Sequence, residues 1–215
     1  MLKVLHILSL RRRAGVEVMF INFLKQMKHK DPKLLGRQIV FAIGISKSFK
    51  EELEKLGVTY SVAKSSSKYN LTIFLQIRKI IKDYNIDLVY GQNFEGNFWG
   101  ALACIGKNDV NLLCHEHGTA WMASGHTSLL TYFWTNKADL IICNANAAKV
   151  LLNQRFKVPL KKLRVIYNGV PEKKSGASVI KKNENLILFV GRLDPVKSPD
   201  TVIRSLPYLV AKLPN

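Results

Sequence analysis

Arg192 and Lys197 stand five residues apart in the stretch Gly191-Arg-Leu-Asp-Pro-Val-Lys197. A guanidinium grips phosphate oxygens through its planar fork, and an ammonium adds a point charge. Gly191 lets backbone approach a ligand closely, so the turn suits an anion; the alternative is a charged surface turn. Ser9 to Glu17, "SLRRRAGVE", offers a second anion site. Gly15 opens a helix whose first N–H groups and dipole suit a phosphate, and Arg11 to Arg13 add charge. The fingerprint G-x-G-x-x-G is absent, and the alternative is a tight turn bearing surface arginines. In "CHEHGTAW", Cys114 to Trp121, two histidines flank Glu116. A histidine there can donate to a sugar hydroxyl or exchange protons near neutral pH. As metal ligands, His-x-His with no third ligand nearby is a poor set. In "GQNFEGNFWG", Gly91 to Gly100, the side chains of Gln92, Asn93, Glu95 and Asn97 can bond hydroxyls. Phe94, Phe98 and Trp99 either stack on a sugar face or belong to the core.

These four stretches need elements to position them. Lys3–Leu8 reads as a strand. Val16, Met19, Phe20, Phe23, Leu24 and Met27 then recur with helical spacing on one stripe. An apolar run over 39–43, a charged helix over 48–56 and a strand over 58–62 follow, with a serine loop at 65–67. The segment 71–84 is helical, with Ile73, Ile77, Ile80 and Ile81 on one face. Strands are expected at 88–90, 112–114, 140–143 and 165–167, and helices at 96–105, 127–136 and 145–156. Short apolar strands separated by helices imply a parallel sheet covered on both faces. Ligands of such sheets bind beyond the carboxyl ends of the strands, where the first three stretches fall. Residues 171–184 are polar and basic and read as a linker. Beyond it the pattern restarts as strand, turn and helix, with Ser198 as cap, Pro199 in the first turn and Asp200 at the positive end. The expected organisation is one α/β domain over 1–170, a linker over 171–184, and the first βα unit of a second domain over 185–215.

Composition bounds the function. The 215 residues are 47% hydrophobic and 22% charged, enough for a real core. A formal net charge of +18 favours anionic partners: nucleotides, phospholipid headgroups or nucleic acid. There is no recognition-helix, zinc or aromatic-basic RNA motif to support the last. Cys104, Cys114 and Cys143 lie in apolar segments without metal-ligand spacing and read as reduced core residues of a cytosolic protein. No apolar stretch approaches the roughly 20 residues of a membrane span. The N-terminal apolar run precedes its arginines, the reverse of a signal peptide.

The stretch "YNGVP" (Tyr167 to Pro171), the basic linker and "ILFVGRLDPVKSPDTVIRSL" (Ile187 to Leu206) closely resemble the interdomain junction and donor-site start of family-four glycosyltransferases. The first loop of that family, Gly-Gly-x-Glu, is similar to Ala14-Gly15-Val16-Glu17, and "CHEHG" is similar to its histidine loop, with His117 the better match. The resemblance implies the GT-B fold: two Rossmann-like doubly wound domains facing across a cleft, here the N-terminal domain and the truncated beginning of the second. It implies a retaining transferase that moves a sugar from a nucleotide-sugar donor to a glycan or lipid-linked acceptor, in surface polysaccharide or glycolipid biosynthesis, without a cofactor or a metal. Arg192 and Lys197 would neutralise the diphosphate, Gly15 would bring N–H groups to the donor phosphate or an acceptor group, and His117 would act as the catalytic residue, contacting and aligning the transferred sugar. Acceptor contacts fall to Asn93, Glu116 and Trp121. Such an enzyme is expected in the cytoplasm or peripherally on the inner face of an anionic membrane.

Departures are visible. Ala14 replaces the first glycine, Ser198 follows the lysine where glycine is usual, and the glutamate pair expected of the second domain is absent. The competing expectations are an inactive binding module, an epimerase-like relative and a nucleic-acid binder.

Overall fold

A computed structural model describes residues 2–64, 70–118, 128–169, 186–193 and 195–212. The serine loop at 65–67, Trp121 and the linker 171–184 lie outside them. The chain divides into two compact units, Met1–Pro171 and Glu172–Asn215.

The first unit is built on a seven-stranded parallel sheet: β1 (Val4–Leu10), β2 (Gln38–Ile45), β3 (Thr59–Val62), β4 (Leu88–Gln92), β5 (Asn111–Glu116), β6 (Leu140–Cys143) and β7 (Leu163–Val165). Their order is β3-β2-β1-β4-β5-β6-β7, the α/β Rossmann-like pattern. The direction of travel across the sheet reverses at β1. Right-handed crossovers therefore place helices on opposite faces on either side of that strand.

Alternation along β1 shows the two faces. Leu5 and Ile7 join a core with Ile73, Ile77 and Ile81 of α4 (Thr72–Tyr84), Trp99 of α5 (Asn93–Ala103), Trp134 of α6 (Ser128–Lys137), and Leu152 of α7 (Asn146–Phe156). Leu8 and Leu10 join the opposite core, with Phe20, Ile21 and Leu24 of α1 (Gly15–Lys30), Leu35 of α2 (Pro32–Leu35), and Phe49 and Leu53 of α3 (Lys47–Leu56). On α1, Ile21 is buried and the expected Phe23 is 41% exposed. The three cysteines are free and buried, and burial pushes the Cys104 and Cys143 thiols up to about 11.

Helix α5 approaches the sheet backbone to backbone. A Cβ on Gly96 would collide with the Ile7 carbonyl of β1, and one on Gly91 would fall 2.6 Å from the Gly96 carbonyl oxygen. No side chain fits between them, so the glycines set the height of α5 over β1 and β4. The helix begins at Asn93, three residues earlier than the sequence pattern suggested, which turns most of "GQNFEGNFWG" from loop into helix. β5 runs through Glu116, two residues longer than expected, and β7 starts at Leu163, two earlier. In each case a neighbouring strand supplies hydrogen bonds beyond the apolar run: His115 pairs with Gln92, and Glu116 with Cys143.

In the second unit α8 (Pro199–Lys212) follows a 3₁₀ turn over Pro195–Lys197. The preceding apolar run does not form the expected strand; Leu186, Leu188 and Val190 are 64%, 75% and 84% exposed. A strand requires pairing partners, and among the described residues this unit has none. Ser198 does not cap α8 by accepting from it: its backbone is left-handed at φ 48° and its hydroxyl donates to the Pro195 carbonyl at 3.1 Å.

Gly96→Ala should destabilise the fold by roughly 2 kcal/mol or more, as overpacking against an immobile carbonyl, despite alanine's better helix propensity of about 1 kcal/mol. Gly36→Ala, whose new methyl would meet nothing closer than 3.6 Å, should change stability by less than about 1 kcal/mol. Urea unfolding of both variants checks the contrast.

Candidate functional site

The carboxyl ends of β1, β4, β5 and β6 converge along one edge of the sheet. α1 starts there at Gly15, after Ala14 in extended conformation, and no side chain caps it. Its first-turn N–H groups have no intrahelical acceptor. Gly15 is exposed, and a Cβ added to it would meet nothing within 4 Å. The fold itself therefore does not require this glycine. In the same turn Glu17 keeps one carboxylate oxygen buried without a hydrogen bond. Two of the three arginines before it are drawn away towards β2 and α3. Arg11 lies across Gly44 and donates to the Ile43 carbonyl at 3.2 Å. Arg13 donates to Glu52 at 2.7 Å and lies over the Phe49 ring.

Asn93 sits just past β4 with a left-handed backbone, φ 58°. Asparagine is among the few residues enriched in that region. Gln92 and Asn97, grouped with it as hydroxyl partners from sequence, are instead 2% and 0% exposed. Asn97 clasps the main chain of His115 from both sides: its Nδ2 donates to the His115 carbonyl at 3.3 Å, and the His115 N–H donates to its Oδ1 at 3.1 Å. Gln92 retains a buried Oε1 without a hydrogen bond. Trp99 belongs to the core at 2% exposure, so it presents no stacking face.

The β5 end is the centre of the site. Side chains alternate across a strand, so Glu116 points to the face opposite His115 and His117. Glu116 is fully buried, and its Oε1 accepts from the Gly118 N–H at 3.0 Å. It braces the turn that carries His117 and presents no surface to an acceptor here. The Asn144 side chain, just past β6, donates to the His117 carbonyl at 2.7 Å. The two imidazoles stack with centroids 3.7 Å apart and planes at 29°. Imidazole lone pairs lie in the ring plane, so the stacked pair does not converge on a common ion. Among the described residues no group of three or more His, Cys, Asp or Glu could hold a metal.

The electrostatics are those of neutral imidazoles. Burial pushes His117 down to about 4. Burial, then the neighbouring His117, push His115 down to about 3. Both ring nitrogens of His117, and Nε2 of His115, are buried without a hydrogen bond. Desolvated imidazole nitrogens lacking partners cost stability, and among the described residues nothing offsets that cost here. His6, behind them on β1, is also buried and pushed down to about 4, with its Nε2 bonded to Gln38 Oε1 at 2.8 Å.

Sequence reasoning missed Tyr90. Its hydroxyl lies 2.7 Å from His115 Nδ1. The signal was the strand period, which puts positions 90 and 92 on one face of β4. In the second unit, Arg192 and Lys197 are both exposed. A Cβ on Gly191 would lie 3.8 Å from Lys197 Cγ, so the turn folds the lysine stem back beside the glycine. No described helix is long and apolar enough to cross a membrane.

A parallel sheet of this order is a Rossmann-like domain, and its matches are to the N-terminal domain of the GT-B fold. The family model for Glycosyltransferase Family 4 matches residues 12–174, and the chain belongs to that family. Among solved structures, the fold is similar to Anabaena Alr3699/HepE in complex with UDP, at TM-score 0.60 and 20% identity, covering 78% of this chain and 44% of that one. It is similar to the lipopolysaccharide outer core galactosyltransferase WaaB in its apo form, at TM-score 0.60 and 14% identity, covering 80% and 47%. It is also similar to the UDP-GlcNAc 2-epimerase from Methanocaldococcus jannaschii, at TM-score 0.54 and 16% identity, covering 77% and 45%. The chain thus spans less than half the length of each of these proteins. Among curated proteins none matches.

The histidines give a pH prediction. Their folded-state values lie below the unfolded value, so as pH falls the unfolded chain binds protons first and stability is lost between about pH 6.5 and 4. Unfolding free energy should drop by roughly 2 kcal/mol per buried histidine between pH 7 and 5, a window above the carboxylates. Denaturant titrations at the two pH values measure it, and His117→Phe should remove its share.

Proposed function

We propose that this chain supplies the N-terminal, acceptor-side domain of a glycosyltransferase that moves a sugar from a nucleotide-sugar donor to a glycan or lipid-linked acceptor. The observation that carries this is His117: a half-buried residue just past the carboxyl end of β5 whose two ring nitrogens are buried and, among the described residues, without a hydrogen bond. Membership of Glycosyltransferase Family 4 and the UDP held by the similar Anabaena protein support a nucleotide-sugar as donor. In this reading the neutral His117 bonds a hydroxyl of the transferred sugar and aligns its reacting carbon. Gly15 and its helix start offer N–H groups to an anionic part of the donor. Arg192 and Lys197 stabilise the diphosphate, which gains charge as the glycosidic bond breaks, and so lower the barrier. Asn93 and Trp121 contact the acceptor, while Glu116 contributes by holding the loop. Transfer retains the anomeric configuration and needs no metal. The +18 charge would favour peripheral docking of the protein on an anionic membrane where a lipid-linked acceptor resides.

A second reading is favoured by one observation, the likeness to a UDP-GlcNAc 2-epimerase. Incubating the full-length protein with nucleotide-sugar and no acceptor separates the two: an epimer in the product mixture supports the epimerase, and acceptor-dependent release of nucleotide supports the transferase.

In the full-length protein, His117→Phe should lower transfer about 100-fold or more, the size of a lost positioning or proton contact. Its unfolding free energy should stay level or rise, because an unsatisfied buried imidazole is removed. A variant that loses stability in step with activity points to a structural histidine. Arg192→Ala or Lys197→Ala should each weaken nucleotide-sugar binding by about 10-fold or more, the worth of a charge-assisted hydrogen bond; unchanged affinity in calorimetry removes the diphosphate assignment.

A further inference from the structure

His117 is held by very little of its own. Asn144 fixes its carbonyl at 2.7 Å, but neither ring nitrogen has a hydrogen bond. Among the described residues, the ring contact that bears on its plane is the stack on His115, 3.7 Å between centroids. His115, by contrast, is fixed at three atoms. Asn97 holds its N–H and carbonyl, and the Tyr90 hydroxyl meets its Nδ1 at 2.7 Å. Tyr90 is in turn seated by the His6 ring, centroids 5.2 Å apart, and its own ring lies parallel to that of His115, 7° between planes.

The direction of the Tyr90–His115 hydrogen bond follows from satisfaction. Tyr90 is partly buried, and a phenol there places its O–H on the acceptor within reach. Tyr90 forms a single side-chain hydrogen bond, and burial keeps its hydroxyl protonated. Tyr90 therefore donates to Nδ1, which leaves the His115 proton on Nε2.

We propose that Tyr90 and His115 are positioning residues for His117: the Tyr90 hydroxyl fixes the tautomer and ring plane of His115, and that plane seats the His117 ring. The chain of dependence runs from β4 through β5 to the loop, and it explains why two adjacent strands would carry a tyrosine and a histidine where apolar residues would pack at lower cost. The role of His117 rests on the transferase reading above; its seating by His115 does not.

The test uses Tyr90→Phe, His115→Ala and His115→Phe in the full-length protein, with two readouts. The first is ¹⁵N-edited NMR of the imidazoles. The wild type should show His115 as the Nε2–H tautomer. Tyr90→Phe should convert it to a tautomer mixture and shift the His117 ring signals. His115→Ala should shift the His117 signals further, and His115→Phe, which keeps an aromatic platform but loses the Tyr90 anchor, should shift them about as far as Tyr90→Phe does. The second readout is transfer kinetics. Tyr90→Phe should lower kcat about 3-fold or more and His115→Ala about 10-fold or more, each with donor KM within about 2-fold, and His115→Phe should recover kcat to the level of Tyr90→Phe. A role in folding alone would not produce that split or that rescue. Unchanged His117 signals in both Tyr90→Phe and His115→Ala overturn the proposal. If the wild type transfers no sugar to any acceptor tried, the transferase reading fails, while the NMR comparison alone decides the seating of His117.

Discussion

The direct contact of α5 backbone with sheet backbone is the constraint on which the site depends. With no Cβ at Gly91 or Gly96, the helix start sinks onto β1 and β4. At that height Asn97, one residue along, reaches the main chain of β5 and takes both a donor and an acceptor of His115. A larger residue at either glycine would raise the helix and pull Asn97 off the strand. The end of β5 would then fray, because the last residues of a parallel strand owe their order to partners beyond the apolar core. The clasp adds to the strand pairing of His115 with Gln92 and of Glu116 with Cys143, and together they hold the end of β5 from which the turn to His117 leaves.

On that scaffold the protein keeps three imidazoles neutral by burial. His6 and His115 are buried and His117 is half-buried, and the last two sit face to face, so a proton on one opposes a proton on the other. A neutral imidazole offers one donor and one acceptor, which matches the hydroxyl of a sugar. The cations of the chain serve elsewhere. Arg11 and Arg13 are bound to β2 and α3, and Arg192 and Lys197 belong to the second unit. The first unit therefore combines a site of polar, uncharged character with a basic exterior.

Much of this was legible in the sequence. The apolar periods located all seven strands of the sheet, and the helical spacing of Ile73, Ile77 and Ile81 named residues that are buried. The histidine loop stood out because two titratable residues follow a strand. The strand ends were not legible. Glu116 and His115 look like loop residues, and only pairing with Cys143 and Gln92 makes them strand. Asn97 looked like a ligand contact because its type is polar; its neighbour across the fold, the His115 backbone, is 18 residues away in sequence. The apolar run over 186–190 looked like a strand and is not paired as one, since hydrophobicity supplies burial but not the adjacent strand.

The sequence by itself determined the alternation of strand and helix, the two-faced core, and which short stretches carry reactive or anion-binding types. These follow from local period and composition, which act over a few residues. The tertiary structure alone decided which polar side chains are spent on the protein and which are left without a partner among the described residues. Glu116, Asn97, Arg11 and Arg13 are consumed by contacts within the fold, while His117 is left unsatisfied, and Tyr90 enters the site though no motif includes it. That division depends on distances between segments far apart along the chain, set by how closely one backbone can approach another.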